Sequence, residues 1–201
     1  MKIIGLCGGS GSGKGYVSSL FASLGIPSID TDKVYNNLIS YNSECVSEIA
    51  SLFGDAVLNT DGSLSKSALR DIVFQKSNKD KLALLNTVTH KHILNATRKQ
   101  LKAFETKGDF AAIVDAPLLF ESGFDRECDY IIAVLADRET RISRVILRDA
   151  ISREVAERRM DLQKSDEFLR ENSDFVIYNT GDNRALENQI KQIYDKIRQE
   201  I

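Results

Sequence analysis

The sequence predicts an α/β fold: a parallel five-stranded sheet flanked by helices, with a helical insertion between the second and third strands. Two observations carry this reading. Five short apolar segments alternate with helical stretches, and strands covered on both faces read as unbroken apolar runs. A glycine-rich loop ending in lysine follows the first segment directly and opens a helix, the setting in which such a loop binds phosphate.

The first strand is Lys2–Leu6. A helix over Lys14–Leu24 leads to the second strand, Ile26–Asp30. Phe110–Val114, Tyr130–Leu135 and Phe175–Tyr178 are the third, fourth and fifth. About 80 residues separate the second strand from the third, far more than a plain crossover requires. They carry helical patterning, with helices over Ser65–Gln75 and Asp80–Phe104. Leu186, Ile190, Ile193, Ile197 and Ile201 recur at helical spacing and predict a closing amphipathic helix.

Gly8-Gly9-Ser10-Gly11-Ser12-Gly13-Lys14 is a GxxxxGK loop, so the sheet is expected to be P-loop NTPase-like. Glycines let the backbone curl with its N–H groups turned inward. The helix N-terminus adds partial positive charge, and Lys14 can reach the β- and γ-phosphates. Gly9, Gly11, Ser12, Gly13, Lys14, Gly15 and Tyr16 are the expected nucleotide-binding stretch. The motif normally continues with Ser or Thr, whose hydroxyl ligates Mg²⁺; here Gly15 and then Tyr16 follow. The phosphate cradle remains, and one metal ligand is missing.

Two acids are placed for chemistry. Asp30-Thr31-Asp32 ends the second strand, and ligands of open α/β sheets sit beyond the carboxyl ends of strands. One of the two carboxylates is expected to cap the next helix. Asp32 is the candidate to orient an acceptor hydroxyl, take its proton, or hold Mg²⁺ through water. Ala111–Val114 delivers Asp115, the shape of a Walker B strand, a second candidate for a water-mediated metal contact. After it, Leu118 and Phe120 either wall a substrate pocket or pack in the core.

Arg141, Arg144 and Arg148 share one helical face, among Arg138, Arg153, Arg158 and Arg159. Two readings fit: a lid that neutralises phosphate charge, or a solvated face paired with Glu139, Glu154 and Glu157.

Composition excludes other classes. Charged residues make up 28% and the net charge is −2, which supplies no basic surface for nucleic acid. No apolar run approaches the roughly 20 residues that span a bilayer. Cys7, Cys45 and Cys128 are isolated and odd in number, against zinc and disulfides, and are expected to be reduced thiols. With no signal-peptide pattern at the start, a cytoplasmic protein is expected.

Taken in order, these features resemble dephospho-CoA kinase over most of the chain. Gly8–Lys14 looks like its glycine loop and Ile29–Asp32 like its "IDAD" segment. Leu52-Phe53-Gly54, Asp61–Leu64 and Val73-Phe74 resemble stations of its helical domain. Asp115–Glu121 is similar to its "D-x-P-L-L-F-E" run, and Ser173-Asp174 with Asn179 to the segment around its last strand. Arg144 and Arg148 match lid arginines, and Gln163 a glutamine after the lid. Lys91 replaces the proline of a His-Pro pair at His90, and Arg141 stands where the family often has Gln.

The resemblance implies ATP and dephospho-CoA as substrates with Mg²⁺, and phosphoryl transfer to the ribose 3′-hydroxyl. It implies Lys14, Asp32 and Arg144 as catalytic, Arg144, Arg148 and Asn179 on the ATP side, and Asp32, His90, Asp115, Leu118 and Phe120 on the acceptor side. His90 is equally well an ordinary hydrogen-bonded residue. The implied division is a nucleotide core of 1–32 and 108–201, a CoA-side insertion of 33–107, and a lid near 138–163.

Overall fold

The computed structural model describes residues 1–41, 43–73 and 79–200. Phe74, Gln75 and Ile201, which the sequence reading placed at a family station and at two helix ends, lie outside the described residues. The sheet has the order β2-β3-β1-β4-β5, from β1 (Lys2–Cys7), β2 (Ser28–Asp30), β3 (Ala111–Asp115), β4 (Tyr130–Leu135) and β5 (Phe175–Tyr178). All five strands are parallel. β1 is central, in parallel register with β3 on one side (Leu6 opposite Asp115) and with β4 on the other (Cys7 opposite Ala133).

The chain divides into two compact units, Met1–Ile29 with Ala103–Ile201, and Asp30–Lys102. The sequence predicts an insertion of 33–107, whereas the helical unit takes in Asp30 and Asp32 and ends at Lys102. The first unit holds the sheet, α1 (Lys14–Ser23), α6 (Arg138–Asp149), α7 (Arg153–Asp161), α8 (Asp166–Glu171) and α9 (Asn183–Gln199). Its core sets Ile4, Leu6, Ile113, Ile132, Val134 and Ile177 from the sheet against Val17 and Phe21 of α1. Leu186, Ile190, Ile193 and Ile197, one stripe of α9, close the same core, the spacing that the sequence showed.

The second unit carries α2 (Thr31–Ile39), α3 (Glu44–Phe53), α4 (Lys66–Val73) and, through Lys102, most of α5, which runs Lys79–Lys107. Val46, Ile49, Val57, Leu69, Val73 and Val88 form its own core. α2 and α3 escaped the sequence reading, and Leu58 bridges Leu64 antiparallel where no strand was expected. β2 starts at Ser28 rather than Ile26. The Ile26 amide closes the end of α1 on the Phe21 carbonyl, and Pro27 has no N–H to give a ladder. Among the described residues, no helix is long and apolar enough to cross a membrane.

Candidate active site

The loop leaves β1 at Cys7 and re-enters helix at Lys14. Gly13 is the N-cap of α1 with φ 95°, a left-handed conformation that glycine adopts without strain. No acid stands in the first turn of α1, so its positive end is left for an outside anion. Ser12 Oγ is buried beside Gly8 and has no hydrogen-bond partner among the described residues. A phosphate oxygen would satisfy it.

Because β1 and β3 are neighbours in register, the loop and Asp115 emerge side by side. The Lys14 ammonium donates to the Gly8 carbonyl at 3.2 Å and lies 3.9 Å from Asp115 Oδ1, with both side chains 14% exposed. A cation able to meet phosphate and a strand-end carboxylate therefore share one point at the carboxyl edge of the sheet. No group of three or more His, Cys, Asp or Glu forms a metal cage among the described residues. One carboxylate beside a phosphate loop fits Mg²⁺ that arrives on phosphate oxygens and keeps its waters.

Two further predicted residues reach the loop. Arg144 Nη1 donates to the Gly11 carbonyl at 3.1 Å, and Asn179 Nδ2, from the end of β5, donates to the Ser12 carbonyl at 2.8 Å. Asn179 is buried against Gly13, where a Cβ would lie 2.2 Å from its nitrogen. Beside the loop, a cleft is lined by Gly8, Gly9, Pro117, Leu118, Phe120 and Leu162. Leu118 is half-exposed there, and Phe120 meets Phe168 edge to face at 5.2 Å between ring centres. The next residue of that run, Leu119, is fully buried and supplies the core packing instead.

The arginine stripe divides. Arg148 is 60% exposed and its fork closes on Asp149. Arg153 pairs with Glu139 and Glu157, and Arg158 with Glu154, the solvated-face reading. Arg138 pairs with Asp161. Arg141, by contrast, is buried and joined to Ser10, Gln163 and Asp166. Spacing put Arg141, Arg144 and Arg148 on one face without distinction; the packing of α6 and α8 beside the loop separates them. Tyr16 is exposed, and Gly15 has open space around it.

Asp32 and His90 belong to the helical unit. Asp30 caps α2, its carboxylate accepting from the Asp32 and Lys33 amides, so the capping task falls to Asp30. His90 is half-buried on α5. Next to it, Lys91 and His92 both reach Glu48 of α3, at 2.7 Å for the His92 ring, a cluster that the sequence reading missed. These two contacts hold the Glu48 carboxyl below the usual range, through hydrogen bonds from Lys91 and then His92. Cys7, at the mouth of the loop, is buried, and desolvation pushes its thiol up to about 11.

A family model described as dephospho-CoA kinase matches residues 2–185. A dephospho-CoA kinase of Fusobacterium nucleatum is 41% identical over 193 residues, covering 96% of this chain and 95% of that protein. A Thermus thermophilus crystal structure superposes with a TM-score of 0.82 at 31% identity, over 97% of both chains. The dephospho-CoA kinase of Campylobacter jejuni does so with a TM-score of 0.71 at 26% identity, over 98% of both.

Proposed function

The chain belongs to the dephospho-CoA kinase family, and we propose from that premise that it moves the γ-phosphoryl group of ATP to the ribose 3′-hydroxyl of dephospho-CoA. The products are CoA and ADP. The family's reaction is the last, ATP-dependent step of coenzyme A synthesis. The observation that carries the reading here is the family match over residues 2–185 combined with Lys14 and Asp115 meeting at the glycine loop.

The roles follow from chemistry. Phosphoryl transfer asks a protein mainly to position its reactants and to neutralise charge. The loop amides of residues 9–16 and the end of α1 hold the phosphates, and Lys14 turns from the Gly8 carbonyl to the transferred group. Arg144 adds charge beside Gly11, and Asn179 braces the loop from beneath. Asp32, two residues past β2, orients the acceptor hydroxyl and takes its proton. Leu118 and Phe120 offer the acceptor an apolar wall. Mg²⁺ would supply charge neutralisation at the phosphoryl oxygens, with Asp115 holding it through water.

The test is a mass-resolved assay with dephospho-CoA, ATP and Mg²⁺. CoA and ADP in equal amounts are expected. ATP consumption that needs another alcohol, or ATP binding without product, would reject the acceptor.

A further inference from the structure

We propose that Arg141 is a positioning residue of the phosphate loop, acting with Gln163 and Asp166 to fix Ser10 at the loop's crest. Each polar group of Ser10 is engaged by this frame. Its amide donates to Gln163 Oε1 at 2.9 Å, and its hydroxyl accepts from Gln163 Nε2 at 3.0 Å. Its carbonyl accepts from Arg141 Nε at 3.1 Å. Arg141 Nη1 in turn donates to Asp166 Oδ1 at 2.8 Å, and Nη2 to Gln163 Oε1 at 3.4 Å.

Burial separates Arg141 from its neighbours. Its side chain is 7% exposed, whereas Arg148 and Arg158 of the same hairpin are 60% and 68% exposed. A guanidinium is buried at that level only with its charge paired and its donors used. The loop is shaped to receive it: a Cβ on Gly9 would stand 2.0 Å from Arg141 Nη2, and one on Gly11 2.5 Å from the Arg141 carbonyl. The fork geometry matters as well. One planar group serves Ser10, Asp166 and Gln163 together, which an ammonium cannot do. Gln163 also lines the cleft, so the loop crest and the cleft wall hang on one hydrogen-bonded frame. Since Asp166 neutralises Arg141, its contribution to ATP is geometry rather than attraction.

The inference rests on the kinase reading. Full-length variants are therefore compared by CoA formation, by calorimetric titration with Mg·ATP, and by Tm. Asp166→Asn decides between geometry and charge, because the two predict opposite signs. A strut whose anchor is weakened raises the Kd for ATP about five- to tenfold, near the value of one ordinary hydrogen bond. It also lowers kcat and leaves the KM for dephospho-CoA unchanged. Tighter ATP binding in this variant would overturn the proposal, since the gain in positive charge beside the loop would then outweigh any loss of geometry. Arg141→Lys keeps the charge without the fork and is expected to lose as much as Arg141→Met; a wild-type Kd for the lysine variant overturns it too. Gln163→Ala disturbs no buried charge and guards against misfolding. With Tm within about 3 °C of wild type, it should show the same rise in Kd; wild-type Kd and kcat there refute the strut. A wild-type chain that binds ATP and forms no CoA would reject the acceptor reading while the Kd series still answers for Arg141.

Discussion

At Gly15 the chain departs from the usual phosphate loop, and the structure shows what that position can accept. A Cβ built there meets nothing within 4 Å, while one at Gly13 would strike Asn179 at 2.2 Å. Gly15→Ser should therefore fold, raise Tm slightly through better helix propensity, and lower the Mg²⁺ concentration that gives half-maximal rate. A metal titration that superimposes on wild type would mean that water already fills the place of the hydroxyl. Asp32 carries a sharper prediction. Asp32→Asn should cut kcat by about a hundredfold or more, the scale of general-base catalysis, with the Kd for ATP unchanged; near-normal turnover would remove Asp32 from the chemistry. The place of Gly15 was legible because the glycine loop sets it in the first turn of α1, and that of Asp32 because it follows the end of β2. Arg141 was not, since nothing in a run of arginines marks the one that packs under a loop.

At the scale of elements, the strands were the legible part. β1, β3, β4 and β5 stand out as apolar runs, while β2 is only Ser28-Ile29-Asp30; Asp137, Ser152, Ser165 and Asp182 cap their helices from the positions that suit such side chains. The Thr140 contacts hold the Asp137 carboxyl below its usual range, so its support for α6 is present at neutral pH and fades as pH falls. α2 and α3 were less legible because their burial is set by packing within the helical unit rather than by a long periodic run. α5 yields the test at this scale. It runs unbroken from Lys79 to Lys107 through Lys91, where the resembled family carries proline. Lys91→Pro removes an interior amide donor and clashes with the preceding turn, at a cost of about 3 kcal/mol. A clear fall in Tm and in helical circular dichroism is expected, while Lys91→Ala, which loses only the exposed contact to Glu48, should barely change either. Equal Tm for the proline variant would show that the helix already breaks there in solution.

Across the whole molecule, each of the three thiols is held protonated by its surroundings. Burial pushes Cys7 and Cys45 up to about 11 from an ordinary 9.0, and Cys128 up to about 12. Cys7 sits in the sheet unit and Cys45 in the core of the helical unit, so the effect spans both. In the unfolded chain these groups titrate near their ordinary value. Above that pH the unfolded chain has released protons that the folded chain still holds. Stability is therefore fully present below pH 9 and falls as pH rises toward 11, by about 1.4 kcal/mol per pH unit for each thiol. Two measurements check this together. Tm should drop progressively above pH 9, and Cys7→Ala should flatten that drop. At pH 8 a thiol-reactive aromatic disulfide should label the native protein far more slowly than the denatured one, because attack requires a thiolate that burial withholds. Rapid labelling of the native protein at pH 8 would show an accessible thiolate and remove the basis for the alkaline slope.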